Sequence, residues 1–185
     1  MIQNITSYLI FGLILLISCN SNPSTTEEKG ITETQEELSE DENIRLAMLL
    51  KSSPQTYIDV QYNDLIEYAI EKQWPVQASP SGLLYWVEKE GRAVQWTDTS
   101  TFQAHYTGNL LDDKVFDSSF SRNRASTFRL DEVIPAWQEA VRWIGEGGVI
   151  KILATSNHGY GNRSISDDIK PYTPLIFDLE VIKVE

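Results

Sequence analysis

The chain has a single cysteine in 185 residues, Cys19. No disulfide can form within it, and no group of thiolates is available for a metal or a nucleophile in the domain that follows. Histidine is nearly as scarce, with only His105 and His158. A serine nucleophile with an imidazole base has only those two to draw on. His105 alternates away from the apolar face of its strand, His158 lies in a loop beside Gly159, and Ser118 and Ser119 lack the glycines of a nucleophile elbow. Positive charge is also short: 15 Lys and Arg against 27 Asp and Glu leave a formal net charge of −12. Phosphate binding needs a basic face, so nucleic acid is not an expected partner. No glycine-rich phosphate loop occurs. The acid pairs Asp112-Asp113 and Asp167-Asp168 are adjacent, and neighbouring side chains diverge on extended backbone. They read as turns or exposed loops, and neither a metal nor a cofactor is expected.

What is present begins with a targeting segment. "SYLIFGLILLISC" is too short an apolar run to span a bilayer but suits a signal-peptide core. It ends in Leu16-Ile17-Ser18-Cys19, which resembles a bacterial lipobox, although no Lys or Arg precedes the run. Residues 1–18 are therefore expected to be a lipoprotein signal peptide and Cys19 the lipidated residue. Several acyl chains on it would hold the protein firmly at a membrane. The expected location is the periplasmic side of a Gram-negative membrane, and Asn20 in place of a retention aspartate favours the outer one. Residues 19–42 read as a disordered acidic tether, with eight acids and two bases between Glu27 and Arg45.

Over residues 43–78 the apolar period is helical. Ile44, Met48 and Lys51 share one stripe, and Tyr62, Leu65, Ile66, Ala69 and Ile70 another. The domain itself or a second copy of the chain, giving a homodimer, are both available partners for these helices. After Pro80-Ser81-Gly82 the period changes to two. Phe102, Ala104 and Tyr106 alternate with Gln103, His105 and Thr107, and Leu175, Phe177, Leu179 and Val181 fall on one face of the last strand. One helix interrupts the strands: "PAWQEAVRWIGEGG" has Pro135 in its first turn, Trp137, Ala140, Val141 and Ile144 on one stripe, and Gly145 and Gly147 as its stop. The expected class is α+β, a curved and mostly antiparallel sheet wrapped around one short helix, preceded by short helices.

Six aromatic residues, Tyr106, Phe116, Phe128, Trp137, Tyr160 and Phe177, come from separate elements. Composition alone favours an ordinary core for them. Their order in "HYTGNLLDDKVFDSSF", "STFRLDEVIPAW", "GYGNRSISDDIKP" and "PLIFDLEVIKVE" resembles the FKBP-type peptidyl-prolyl cis-trans isomerases, nearest to the macrophage infectivity potentiator branch. The likeness covers residues 79–185. It implies isomerisation of X-Pro bonds in exported polypeptides within an apolar pocket lined by Tyr106, Phe116, Asp117, Phe128, Val133, Ile134, Trp137, Tyr160, Ile169 and Phe177. Trp137 would be the floor, and Tyr106, Phe116 and Phe177 the walls. The Ile134 N–H and the Tyr160 hydroxyl would bind substrate carbonyls, and Asp117 would stand at the rim with Arg122 or Arg124 for a partner. The family's macrocyclic ligands would fill the same space. Ala136 replaces the family's usual glycine, Thr155 a common proline, and Asp168-Ile169-Lys170 a more apolar run. The alternative is a membrane-tethered chaperone or assembly module whose isomerase activity is incidental.

Overall fold

The computed structural model describes residues 37–185, so the expected signal peptide, Cys19 and most of the expected tether lie outside the described residues. The strands lie in the period-two region, except the first, which falls at the end of the stretch read as helical and corrects that reading. They are β1 (Gln77–Ala78), β2 (Leu84–Lys89), β3 (Thr101–Asn109), β4 (Val115–Ser118), β5 (Ser126–Arg129), β6 (Val149–Ala154) and β7 (Leu175–Val184). All pair antiparallel in one sheet of order β1-β2-β6-β7-β3. β3 is long enough for two partners on its far side, β5 along Thr101–Ala104 and β4 along Thr107–Asn109.

One face of this sheet wraps the helix α3 (Pro135–Ala140). Phe102, Ala104 and Tyr106 of β3, Ile150 and Ile152 of β6, and Phe177 and Leu179 of β7 point into that core, as alternation predicts. α3 ends at Ala140, earlier than the glycines suggested, and tightens into a 3-10 turn over Val141–Trp143. The stripe survives the change, because Val141 and Ile144 remain buried.

The opposite face is covered as well. Leu84, Leu153 and Ile176 form a cross-strand row with no exposed surface, beneath Leu46 of α1 (Glu40–Leu49) and Leu65, Ile66 and Ala69 of α2 (Tyr57–Glu71). Burial on both faces is why β7 reads as a continuous apolar run at Leu175-Ile176-Phe177. Each such side chain contributes roughly 1.5–3 kcal/mol when fully buried. The helices therefore belong to the same core structure as the sheet.

Two further expectations need correction. α1 starts at Glu40, within the stretch assigned to the tether, because Ser39 and Glu42 form a reciprocal capping box. Glu40, Asp41 and Glu42 stand in its first turn, where the helix dipole favours acids. Its buried face is also not the Ile44–Met48 stripe. Those two are 52% and 80% exposed, whereas Leu46 is fully buried. Leu46 and Leu50 share the same four-residue spacing, so periodicity had two equal stripes to offer. Leu46 packs into the cluster beneath α2, and the Arg45 guanidinium donates to the Val76 carbonyl oxygen at 2.9 Å in the same orientation.

Candidate active site

Where α3 crosses the sheet, its one aromatic side chain, Trp137, becomes the floor of a depression. Pro135 at the first helical position pre-sets the backbone there. The indole is 4% exposed, and three rings meet it edge-on: Phe128 at 5.0 Å between centroids, Tyr106 at 5.2 Å and Phe177 at 5.4 Å. Phe116 of β4 extends the wall, edge-on to Phe177 at 5.7 Å. Such edge-to-face pairs are worth about 0.5–1.5 kcal/mol each beyond area burial. The floor is therefore rigid.

These rings enclose a cavity of about 200 Å³. That is below the roughly 300–1,000 Å³ of drug-sized pockets, and it suits one side chain with its flanking peptide. Its lining comprises every expected residue except Ile169, together with Glu132. Ile169 is a correction. It is 4% exposed and packs into the main core, while its backbone carbonyl accepts from the Ile165 N–H and its N–H donates to Ser166 Oγ. These two bonds hold it within the loop behind Tyr160, and it is not among the residues lining the cavity. Glu132 escaped the sequence reading because a charged residue next to Val133-Ile134 carries no periodic signal.

The rim is polar and closed on itself. The Tyr106 hydroxyl donates to Asp117 Oδ2, Arg122 donates to the Tyr106 oxygen at 2.7 Å, and Arg122 pairs with Asp117. Arg122, not Arg124, is thus the partner. Burial pushes the Asp117 carboxyl up, but the Tyr106 hydroxyl and Arg122 outweigh it and hold the group below its ordinary value. Burial raises the Tyr106 phenol, and its bond to Asp117 adds to that. Burial likewise raises the Tyr160 phenol, with the Asp117 charge adding to it. At neutral pH Asp117 is therefore a carboxylate, and the Tyr106 and Tyr160 phenols keep their protons. The Tyr106 proton is committed to Asp117. Among the described residues neither the Tyr160 hydroxyl nor the Ile134 N–H has a hydrogen-bond partner, so both are free to donate to a ligand.

Gly108 shapes the wall by having no side chain. A Cβ there would stand 2.5 Å from Cζ of Phe116, so only glycine lets that ring lie across β3. Ser119 is bonded into the scaffold of the wall, to the Tyr106 N–H at 2.8 Å and, at 3.0 Å, to His105 Nδ1. It is fully buried, and His105 beside it stacks on Phe120. Among the described residues no group of three His, Cys, Asp or Glu is arranged to hold a metal.

The family model for FKBP-type peptidyl-prolyl cis-trans isomerases matches residues 93–182. The chain is 31% identical to the isomerase FkpA of Buchnera aphidicola subsp. Acyrthosiphon pisum over 177 residues, covering 95% of this chain and 70% of that one. The chain belongs to the FKBP-type peptidyl-prolyl cis-trans isomerase family. A probable isomerase of Haemophilus influenzae is 39% identical over 109 residues, which is 59% of this chain but 45% of that protein. The chain thus spans less than half the length of this relative. The crystal structure of FkpA from Escherichia coli superposes with a TM-score of 0.62 at 31% identity, over 78% of this chain and 63% of that one. A Pseudomonas syringae isomerase structure gives 0.60 at 25% identity, over 73% and 98%. The FKBP-type match covers every residue lining the cavity.

Proposed function

We propose that this protein accelerates cis-trans rotation of X-Pro bonds in exported polypeptides, using the Trp137 cavity as the prolyl site. The observation that carries the reading is a ring-walled cavity of one-side-chain size with two uncommitted donors, Ile134 N–H and Tyr160 O–H, at its edge.

Rotation about an X-Pro bond faces a barrier of about 18–20 kcal/mol because the planar amide is stabilised by resonance. That resonance separates charge between O and N, and the twisted form lacks it. An apolar surround, poor in water, favours the twisted form relative to the planar one. Two fixed donors that fit carbonyls in the twisted geometry add binding found only there. A ten-thousandfold acceleration needs about 5–6 kcal/mol, within the reach of these two effects together. No covalent bond forms or breaks, so the reaction needs no nucleophile.

Lipidation at Cys19 would tether the domain to the periplasmic side of a membrane, by way of the tether, with exported chains as clients. Among the described residues no helix is long and apolar enough to cross a membrane. The finer likeness to the macrophage infectivity potentiator branch rests on the sequence motifs alone. The test compares two refolding reactions with the full-length protein: a client whose folding is limited by proline isomerisation, and an aggregation-prone client without proline. Acceleration of the first supports the isomerase reading. Protection of the second with no effect on the first would replace it with a tethered chaperone.

A further inference from the structure

A buried glutamine on α2 holds the loop that carries Tyr160. Gln61 lies on the side of α2 facing the domain and is 8% exposed. Its Oε1 accepts from the Ser156 N–H at 2.9 Å, and its Nε2 donates to the Tyr172 carbonyl oxygen at 2.6 Å. Those partners stand at the two ends of the segment between β6 and β7. Each is one hydrogen bond from Gly161. The Gly161 N–H donates to the Ser156 carbonyl at 2.8 Å, and the Tyr172 N–H donates to the Gly161 carbonyl at 2.8 Å. Gln61, Ser156, Gly161 and Tyr172 thus close a ring of hydrogen bonds, and Tyr160 is attached directly to it. The Ser156 carbonyl also accepts from Gly159, so the backbone is held on both sides of Tyr160.

The ring is under backbone strain. Tyr172 has φ of 64°, a left-handed conformation uncommon for a non-glycine residue and costly for a bulky one. It persists because its N–H and C=O are both held, and because Tyr57 of α2 packs edge-on against its ring at 4.9 Å. The same helix reaches the other loop beside the cavity. The Tyr68 hydroxyl and Lys72 ammonium each donate to Asp113 at 2.6 Å, in the turn that leads to Phe116 and Asp117.

We propose that Gln61 is a positioning residue for the prolyl pocket, bracing the Tyr160 loop from outside the matched isomerase domain. The proposal deepens the isomerase reading and rests on it. A carboxamide is required, because the loop offers one donor and one acceptor and the side chain must supply the complement of each. The helical segment then contributes to the geometry of the site as well as to the core.

The experiment uses the full-length protein with Gln61→Met, which keeps the side-chain length without either bond, and Gln61→Glu. Well below its melting temperature, Gln61→Met lowers kcat/KM for a prolyl peptide about tenfold. Amide exchange at Ser156, Gly161 and Tyr172 quickens by a similar factor, while β3 and β7 stay protected. In Gln61→Glu one carboxylate oxygen still accepts from Ser156, but the other faces the Tyr172 oxygen without a proton. Its activity relative to wild type rises as pH falls and that carboxyl gains the proton, whereas Gln61→Met stays depressed at every pH. Wild-type kcat/KM and wild-type loop exchange in Gln61→Met overturn the brace. A wild-type chain without isomerase activity, whose loop exchange still quickens in Gln61→Met, refutes the isomerase reading and leaves the brace standing.

Discussion

The Tyr106 hydroxyl reaches Asp117 Oδ2 at 2.5 Å across two neighbouring strands, and this commits its proton to the rim. Of the two phenols lining the cavity, only Tyr160 keeps a free hydroxyl. Tyr160→Phe is therefore expected to lower kcat/KM about two- to tenfold, the worth of one neutral hydrogen bond. Peptide kinetics on the variant check this, and an unchanged value would remove Tyr160 from the role of donor.

The shifted groups at the cavity all move away from neutrality. Asp117 is held below its ordinary value, and both phenols are held above theirs. A rotation that transfers no proton should show kcat/KM flat between about pH 5 and pH 9, in contrast to the bell of an acid-base pair. A bell-shaped profile with the protein still folded contradicts the mechanism.

Acid stability carries a signed expectation. The folded-state pKa of Asp117 is depressed relative to its unfolded value near 3.8. Its contribution to stability is therefore present above that value and is lost as pH falls through the folded pKa. Asp117→Asn should be less stable than wild type at pH 7, with the gap closing on acidification. Urea midpoints at a series of pH values measure it, and a gap constant with pH would show that the carboxylate charge is irrelevant.

The inward faces of β3 and β7 and the stripe of α3 were legible in the sequence, because each buries one face at a fixed period. The Asp117 partner was narrowed to two arginines, and the turn after β4 selects Arg122. What was not legible shares a physical cause. Ile44 and Met48 made as good a stripe as Leu46 and Leu50, and only tertiary packing broke the tie. Gln61 carries no periodic signal, because a polar residue among apolar neighbours reads as surface. Its partners, moreover, lie 95 and 111 residues away. Glu132 was missed and Ile169 was expected in the lining because the short 3-10 turn of the one and the loop of the other offer no period to read.

Gly108 offers a test of the wall that leaves every lining side chain in place. Gly108→Ala forces the Phe116 ring aside, since the new methyl would lie within 2.5 Å of it. Overpacking of this kind costs about 1–3 kcal/mol. The variant should fold, melt lower, and bind the family's macrocyclic ligands more weakly. Unaltered macrocycle affinity would show that Phe116 is no part of the binding wall.

The most direct test follows cis-trans exchange in an Ala-Pro peptide by NMR, with the full-length wild type beside Phe177→Leu. Uncatalysed exchange takes tens to hundreds of seconds. The account predicts exchange accelerated by orders of magnitude with wild type, suppressed by a macrocycle filling the Trp137 cavity, and sharply reduced in the folded variant. Exchange at the uncatalysed rate with a folded wild-type protein would contradict it.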